Sequence, residues 1–275
     1  MTLRGGARRA VRIAGFAAGA AGVLPLHAIH ERLVAEPERE RLKERYKSAW
    51  CEAMLRLFEI TVVLHGAAPP RTGRGRLVVC NHRSAIDIVV MFRLFGGMML
   101  SRADISGWPV LGSIARRIDT VFVDRESTRS GASAIQRMTE LLAAGNSVTV
   151  FPEGTTFDGD EVRPFHRGGF TAAARAGAEV LPVGLAYALG SDAAYRDETF
   201  LAHLGRVAGA RPSVVHVAIG PLLGPLDVPA SEASGRARLA VSEAVGVARA
   251  GAGGVTVAGA RTARRRRTAS RGTRR

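Results

Sequence analysis

The run Arg76-Leu77-Val78-Val79-Cys80-Asn81-His82-Arg83-Ser84-Ala85-Ile86-Asp87 holds the end of one element and the start of another. Leu77 to Cys80 is a short apolar stretch of the kind that forms a buried strand. From Ile88 to Phe95 the chain is apolar again and long enough to continue as a helix. His82 therefore falls where a strand gives way to a helix, with Asp87 in the first helical turn. A carboxylate there can reach back and accept the Nδ1 proton of His82, leaving Nε2 as an outward lone pair. Such a nitrogen takes the proton of a hydroxyl while that oxygen attacks a carbonyl. The substrate supplies the oxygen, so no Ser or Cys nucleophile is required. Taken alone, the pair also fits a merely capped helix start.

A second stretch shares this outline. Val148-Thr149-Val150-Phe151-Pro152-Glu153-Gly154-Thr155-Thr156 is an apolar strand that stops at a proline. Gly154 permits close approach of backbone to a ligand. Thr155 offers a hydroxyl, and turn amides beside it suit an anion.

Together the two stretches resemble the glycerophospholipid acyltransferase family, whose signatures are Asn-His-x4-Asp and Phe-Pro-Glu-Gly-Thr. The resemblance covers residues 77–222. It implies His82 as general base and Asp87 as its orienting carboxylate. Asn81, Arg125, Glu153, Gly154 and Thr155 become the substrate-binding set. Within that set Asn81 fixes the loop, Glu153 organises an arginine and Arg125 meets phosphate. Arg125 follows the apolar run Val121-Phe122-Val123, at a strand end where ligands of α/β sheets gather. Guanidinium suits phosphate through bidentate pairing; without the resemblance, a salt bridge to Asp124 or Glu126 describes Arg125 as well. The chain departs from the family pattern at Arg102 and Asp104, where Lys and Glu are usual. Asp119 stands for a glycine, and Thr156 stands where Arg is common. Arg163, His166 and Arg167 either supply positive charge to the same site or line a solvated loop.

Composition sets the bounds. The 275 residues suit one domain with a large core plus terminal extensions. The divisions expected are an apolar N-terminal segment 1–35, a catalytic domain 36–250 and a flexible Arg-rich tail 251–275. Two cysteines, Cys51 and Cys80, make no disulfide framework and point to a reducing compartment. No Cys/His cluster has metal-ligand spacing, and no metal or redox cofactor is expected. The net charge is +15, and Lys43 and Lys47 are the only lysines. Eight arginines fall between Arg261 and Arg275. Such a tail reads as disordered, able to meet anionic lipid or, nonspecifically, nucleic acid. It is equally described as a solvated tail with no partner.

At the N-terminus, Arg4, Arg8, Arg9 and Arg12 precede an apolar stretch from Ile13 to Ile29. Its length is near the minimum for a spanning helix. A shallow or re-entrant anchor fits best, because a single span or a cleaved leader would export a domain whose acyl donor is cytosolic. Residues 36–59 form a periodic helix with Leu42, Tyr46, Ala49, Trp50, Ala53, Met54, Leu57 and Phe58 inward, and Lys47 outward. This helix packs on the core, lies on a membrane, or does both. Strands are expected at 60–65, 98–101, 180–185 and 214–219, and helices at 128–144, 171–176 and 231–248.

The fold expected is α/β: a mixed sheet sandwiched by helices, with N-terminal membrane-docking helices and a disordered basic C-terminal tail. The resemblance implies an enzyme at the cytoplasmic face of the membrane. It moves a fatty acyl group from acyl-CoA or acyl-carrier protein to a lysophospholipid hydroxyl. The acceptor implied first is 1-acylglycerol 3-phosphate, giving phosphatidic acid; a lyso-ornithine lipid is the alternative. From a different class, a non-catalytic membrane-associated binding protein would leave His82 and Asp87 structural.

Overall fold

The computed structural model describes residues 3–36, 38–107, 112, 120–124 and 127–253. The expectations for Trp108-Pro109, the helix closing at Ile118, Asp119, Arg125 and the tail beyond Gly253 lie outside them. The described strands are β1 (Ile60–His65), β2 (Arg76–Cys80), β3 (Met98–Arg102), β4 (Val121–Val123), β5 (Ser147–Val150), β6 (Glu179–Tyr187) and β7 (Ser213–Ile219). They form one sheet in the order β1-β7-β6-β2-β5-β3-β4. Every pairing is parallel except β6 with β7, so the sheet is mixed.

Central strand β2 is buried along its whole length. Its side chains alternate between two apolar layers, as the period of a strand requires. Leu77 and Val79 join a core with Met138 and Leu142 of α4 (Thr128–Ala143), Phe170 of α5 (Gly168–Ala176) and Val241 of α7 (Ala230–Gly253). Val78 and Cys80 face the opposite core, with Leu55 of α2 (Glu38–Leu57), Met91 of α3 (Ile86–Phe95) and Val207 of α6 (Phe200–Gly209). A sheet covered on both faces accounts for the unbroken apolar runs in β2, β6 and β7. Helix α7 presses so closely on β6 that a Cβ at Gly184 would lie 2.2 Å from the Val245 nitrogen.

Four local expectations are corrected. Lys47 is buried, not outward, while Ala49 and Ala53 are exposed. Its ammonium bonds Glu44 and the Gly97 carbonyl and lies 5.2 Å from the Phe92 ring centroid, which supplies the partners a buried cation needs. Helix α7 continues through Gly253, so residues 251–253 are helical and not linker; Gly251 packs against the rings of His65 and His216, where a side chain has no room. Helix α6 was not anticipated, although Thr199 caps it by accepting from the Ala202 amide.

Helix α1 (Leu3–Leu33) is the fourth correction. It runs without a break through Pro25, so it does not turn back on itself. It contains the one helix among the described residues long and apolar enough to cross a membrane, with 11% of that window buried. Arg12 is no flanking surface cation. It is 2% exposed and donates to the carbonyls of Val207 (3.3 Å), Ala208 (3.3 Å), Ala210 (2.7 Å) and Leu57 (3.1 Å), and to Glu59 Oε2 (3.2 Å). One guanidinium thus satisfies the C-terminal ends of α6 and α2 and fastens α1 to both. Phe16 meets Trp50 edge-on, and a Cβ at Gly19 would touch the same indole. The outer side of α1 leaves Val11, Ile13, Leu26, Ile29 and Leu33 exposed.

Candidate active site

Four segments converge beyond the C-terminal end of β2. The strand ends at Cys80, and the side chain of Asn81 extends its ladder by imitation. Asn81 Nδ2 donates to the Leu185 carbonyl (2.9 Å), and Oδ1 accepts from the Leu185 amide (2.7 Å). The backbone is thereby free to turn away, and the next residue, His82, leaves the sheet.

His82 Nδ1 lies 2.9 Å from Asp87 Oδ2. The His82 side chain is 15% exposed and that of Asp87 is fully buried. Asp87 stands in the first turn of α3 and also accepts from the amides of Arg83 (2.6 Å) and Ser84 (2.8 Å). Its Oδ1 accepts from the hydroxyl of Tyr187 (2.6 Å), at the end of β6. Four donors satisfy the buried carboxylate and leave it one orientation. Burial, followed by the Asp87 charge, pushes the Tyr187 phenol well above its ordinary pKa, so it remains a neutral donor. With Nδ1 committed to Asp87, Nε2 is the nitrogen left to meet a substrate.

The second motif closes over the first. The rings of Phe151 and His82 stack with centroids 4.1 Å apart and planes at 14°. After Pro152 the chain turns at Gly154, whose φ of 87° suits glycine. The side chain of Glu153 points inward. It accepts from the His82 amide (2.8 Å), from Arg83 Nη1 (2.8 Å) and Nη2 (3.0 Å), and from the Arg163 amide (2.8 Å). Arg83 also donates to the carbonyls of His82 (2.7 Å) and Glu161 (2.6 Å). This buried fork-to-fork pair knits the His82 loop to the loop after β5.

The expected substrate-binding set therefore divides. Asn81 and Glu153 are buried and bonded internally, which leaves neither side chain facing a ligand; both hold the loop that carries His82. Thr155 is exposed and Gly154 half-buried. Arg125 lies outside the described residues. Arg163, His166 and Arg167 are exposed on the rim; Arg163 pairs with Glu161 at 3.3 Å and lies over the Phe157 ring at 5.4 Å. Sequence reasoning missed Arg83, Tyr187 and His203, the last of which bonds the Ala85 amide.

Cysteine chemistry is absent here for a physical reason. Burial pushes the Cys80 thiol well above its ordinary pKa, and the Asp87 and Glu153 charges push the same way. Only a thiolate is nucleophilic. What remains is one imidazole, braced by a carboxylate and partly exposed, an arrangement able to serve as a general base.

Residues 61–186 match the model of the acyltransferase family. The lyso-ornithine lipid O-acyltransferase of Pseudomonas aeruginosa is 33% identical over 219 residues, 76% of this chain and 81% of that protein. The chain belongs to the acyltransferase family. The 1-acyl-sn-glycerol-3-phosphate acyltransferase of Neisseria gonorrhoeae is 36% identical over 122 residues, 44% of this chain and 48% of its own length. The crystal structure of the 1-acyl-sn-glycerophosphate acyltransferase PlsC from Thermotoga maritima shares the fold, with a TM-score of 0.62 and 21% identity. That likeness covers 82% of this chain and 88% of the other.

Proposed function

We propose that this protein transfers a fatty acyl group from a thioester to the free hydroxyl of a lyso-lipid. The observation that carries the reading is the His82–Asp87 bond of 2.9 Å at an open strand end, roofed by Phe151. His82 Nε2 takes the proton of the acceptor hydroxyl as its oxygen bonds to the thioester carbon. The tetrahedral intermediate collapses, the carbon–sulfur bond breaks, and the thiolate leaves with the proton held by His82. Asp87 keeps Nδ1 protonated and supports the imidazolium between these steps. Ester and thiol are the products, and no metal or redox group enters the balance.

The acceptor proposed is 1-acylglycerol 3-phosphate, the donor acyl-CoA or acyl-carrier protein. Arg125 and the Gly154–Thr155 turn meet the head group, and Glu153 holds Arg83. A second reading, acylation of a lyso-ornithine lipid, is favoured by the Pseudomonas relative, whose similarity extends over 76% of the chain. The membrane face is the exposed apolar side of α1 at Val11, Ile13, Leu26, Ile29 and Leu33, with the enzyme peripheral on the cytoplasmic side. Purified protein is given acyl-CoA with each lyso-lipid, and free thiol is measured. Thiol release with the phosphate acceptor supports the first reading, and release confined to the ornithine acceptor supports the second. No release with either, or with acyl-carrier protein as donor, refutes acyl transfer.

A further inference from the structure

Beneath the His82 loop lies a second imidazole. His203, on α6, is 1% exposed. Its Nε2 is 3.1 Å from the Ala85 amide nitrogen and 3.2 Å from Ser84 Oγ. Its Nδ1 is 3.1 Å from Glu198 Oε1. Serine, histidine and glutamate in that order have the outline of a nucleophile and its base. Burial excludes the chemistry: Ser84 is wholly buried, and its hydroxyl donates to the Ala193 carbonyl at 2.6 Å. The same hydroxyl oxygen accepts from the Ile86 amide at 3.1 Å.

The bonds fix the state of the ring. An amide N–H can only donate, so Nε2 must carry a lone pair toward Ala85. Nδ1 therefore carries the hydrogen and donates it to Glu198, and the Arg206 Nη2 that lies 3.2 Å from Nδ1 gives its own hydrogens to Glu198 and the Ala194 carbonyl. That carboxylate is clamped in turn by Arg206 through Nε, at 3.1 and 3.2 Å, and through Nη2. Arg206 also donates to the carbonyls of Asp192 and Ala194 (2.7 Å), anchoring the segment that runs past Ser84. Tyr195, edge-on to His203 with centroids 5.6 Å apart, accepts nothing from the ring, and its amide donates to the Arg83 carbonyl at 2.7 Å.

We infer that His203 is a positioning residue: in its neutral form it holds the Arg83-Ser84-Ala85 loop through the Ala85 amide, and so sets His82 and Asp87 at bonding distance. The inference rests on the acyl-transfer reading for its effect on rate, though not for its effect on the loop. Ala85 directly precedes α3, the helix that carries Asp87. Protonating Nε2 would turn its lone pair into a donor facing the Ala85 N–H, and the loop would lose its tether. The charged groups around the ring are Glu198, Arg206 and Asp87. Burial foremost lowers its pKa below the ordinary 6.5; Arg206 adds to this, while Glu198 and Asp87 oppose it. The fold therefore favours the neutral ring, and the tether is complete above pH 6.5 and fails as pH falls through the lower folded-state value.

The test compares wild type, His203→Leu and His203→Gln in the full chain. Glutamine presents a non-titrating acceptor near the position of Nε2; leucine presents none. His203→Leu is expected to lower kcat by about a hundredfold with KM unchanged, the effect of a small misplacement of the base. His203→Gln recovers most of it. Amide exchange at Ala85 is measured in parallel, with protection lost in His203→Leu and kept in His203→Gln. In wild type that protection falls as pH drops below 6.5 and through the lowered folded-state value, and in His203→Gln it does not; this arm decides the matter even where the leucine variant does not fold. Wild-type kcat in His203→Leu, a glutamine variant no better than leucine, or Ala85 protection indifferent to both substitutions and to pH would each overturn the inference. A wild-type protein that consumes no thioester, yet shows the exchange pattern, would sink the acyl-transfer reading and leave the His203 tether standing.

Discussion

His82 and His203 make the same pair of commitments a short distance apart. Each directs Nδ1 at a carboxylate, Asp87 in one case and Glu198 in the other, and each thereby keeps Nε2 for an outside partner. The difference is access. The His82 side chain is 15% exposed and that of His203 1%. For His203 the protein itself fills the place of the substrate, with the Ala85 amide. In the acyl-transfer proposal that access, and not the arrangement alone, is what sets His82 apart.

The substitution with the largest expected effect tests that contrast directly. His82→Ala is expected to reduce turnover by about a hundred- to ten-thousandfold, the range that a general base supplies. Asp87 loses one of its four donors in this variant, a stability cost of about 1–3 kcal/mol, so turnover should fall far more than stability. Undiminished acyl transfer by this variant would move the chemistry elsewhere and dissolve the contrast. Arg83→Met comes next, since Arg83 joins the His82 loop to the loop after β5. It strands the buried Glu153 charge at a cost of about 3–5 kcal/mol, read by urea denaturation. A loss under 1 kcal/mol would mean that the Arg83–Glu153 pair is not buried as described.

Tyr187→Phe removes one of the four donors to Asp87 without altering shape. Leaving a buried acceptor short of one hydrogen bond costs about 1–3 kcal/mol, and kcat should fall less than in His82→Ala. An equal fall would give Tyr187 a share in the proton transfer. The smallest effect concerns acid. Hydrogen bonds from Arg206 hold the Glu198 carboxyl below its ordinary value of 4.5, overcoming the upward push of burial. The folded form thus favours the carboxylate, whose contribution is full above pH 4.5 and vanishes as pH falls through the lower folded-state value. Glu198→Gln should therefore be less stable than wild type at pH 6, by about 1–2 kcal/mol, with the gap closing below pH 4.5. A constant gap would show that the pair acts by shape and not by charge.

Strand-ending motifs carry their meaning locally, so His82, Asp87 and the Pro152-Glu153-Gly154 turn were legible without coordinates. The mixed sheet was legible too, because its strands alternate with periodic helices. Tyr187, His203 and Arg206 were not: their role arises where β6 and α6 pass behind a loop far away in sequence. Arg83 sat inside the motif, but its partner is set by the fold. Lys47 misled the helical periodicity because its acceptor, the Gly97 carbonyl, belongs to another segment. Helix α6 could have been found from Thr199 and the spacing of Leu204, Val207 and Ala208. Arg12 could not, since a basic residue ahead of an apolar stretch ordinarily stays in water.

Asn81 has a consequence for which replacements the chain tolerates. At that point the chain needs one group that gives and one that receives, on adjacent atoms, in the plane of a peptide. An aspartate of identical outline would set oxygen against the Leu185 carbonyl, and a leucine would leave both halves of that peptide unanswered. Only a primary amide on a one-carbon stem is a faithful forgery of main chain there, and it lets the covalent path depart one step before the ladder ends.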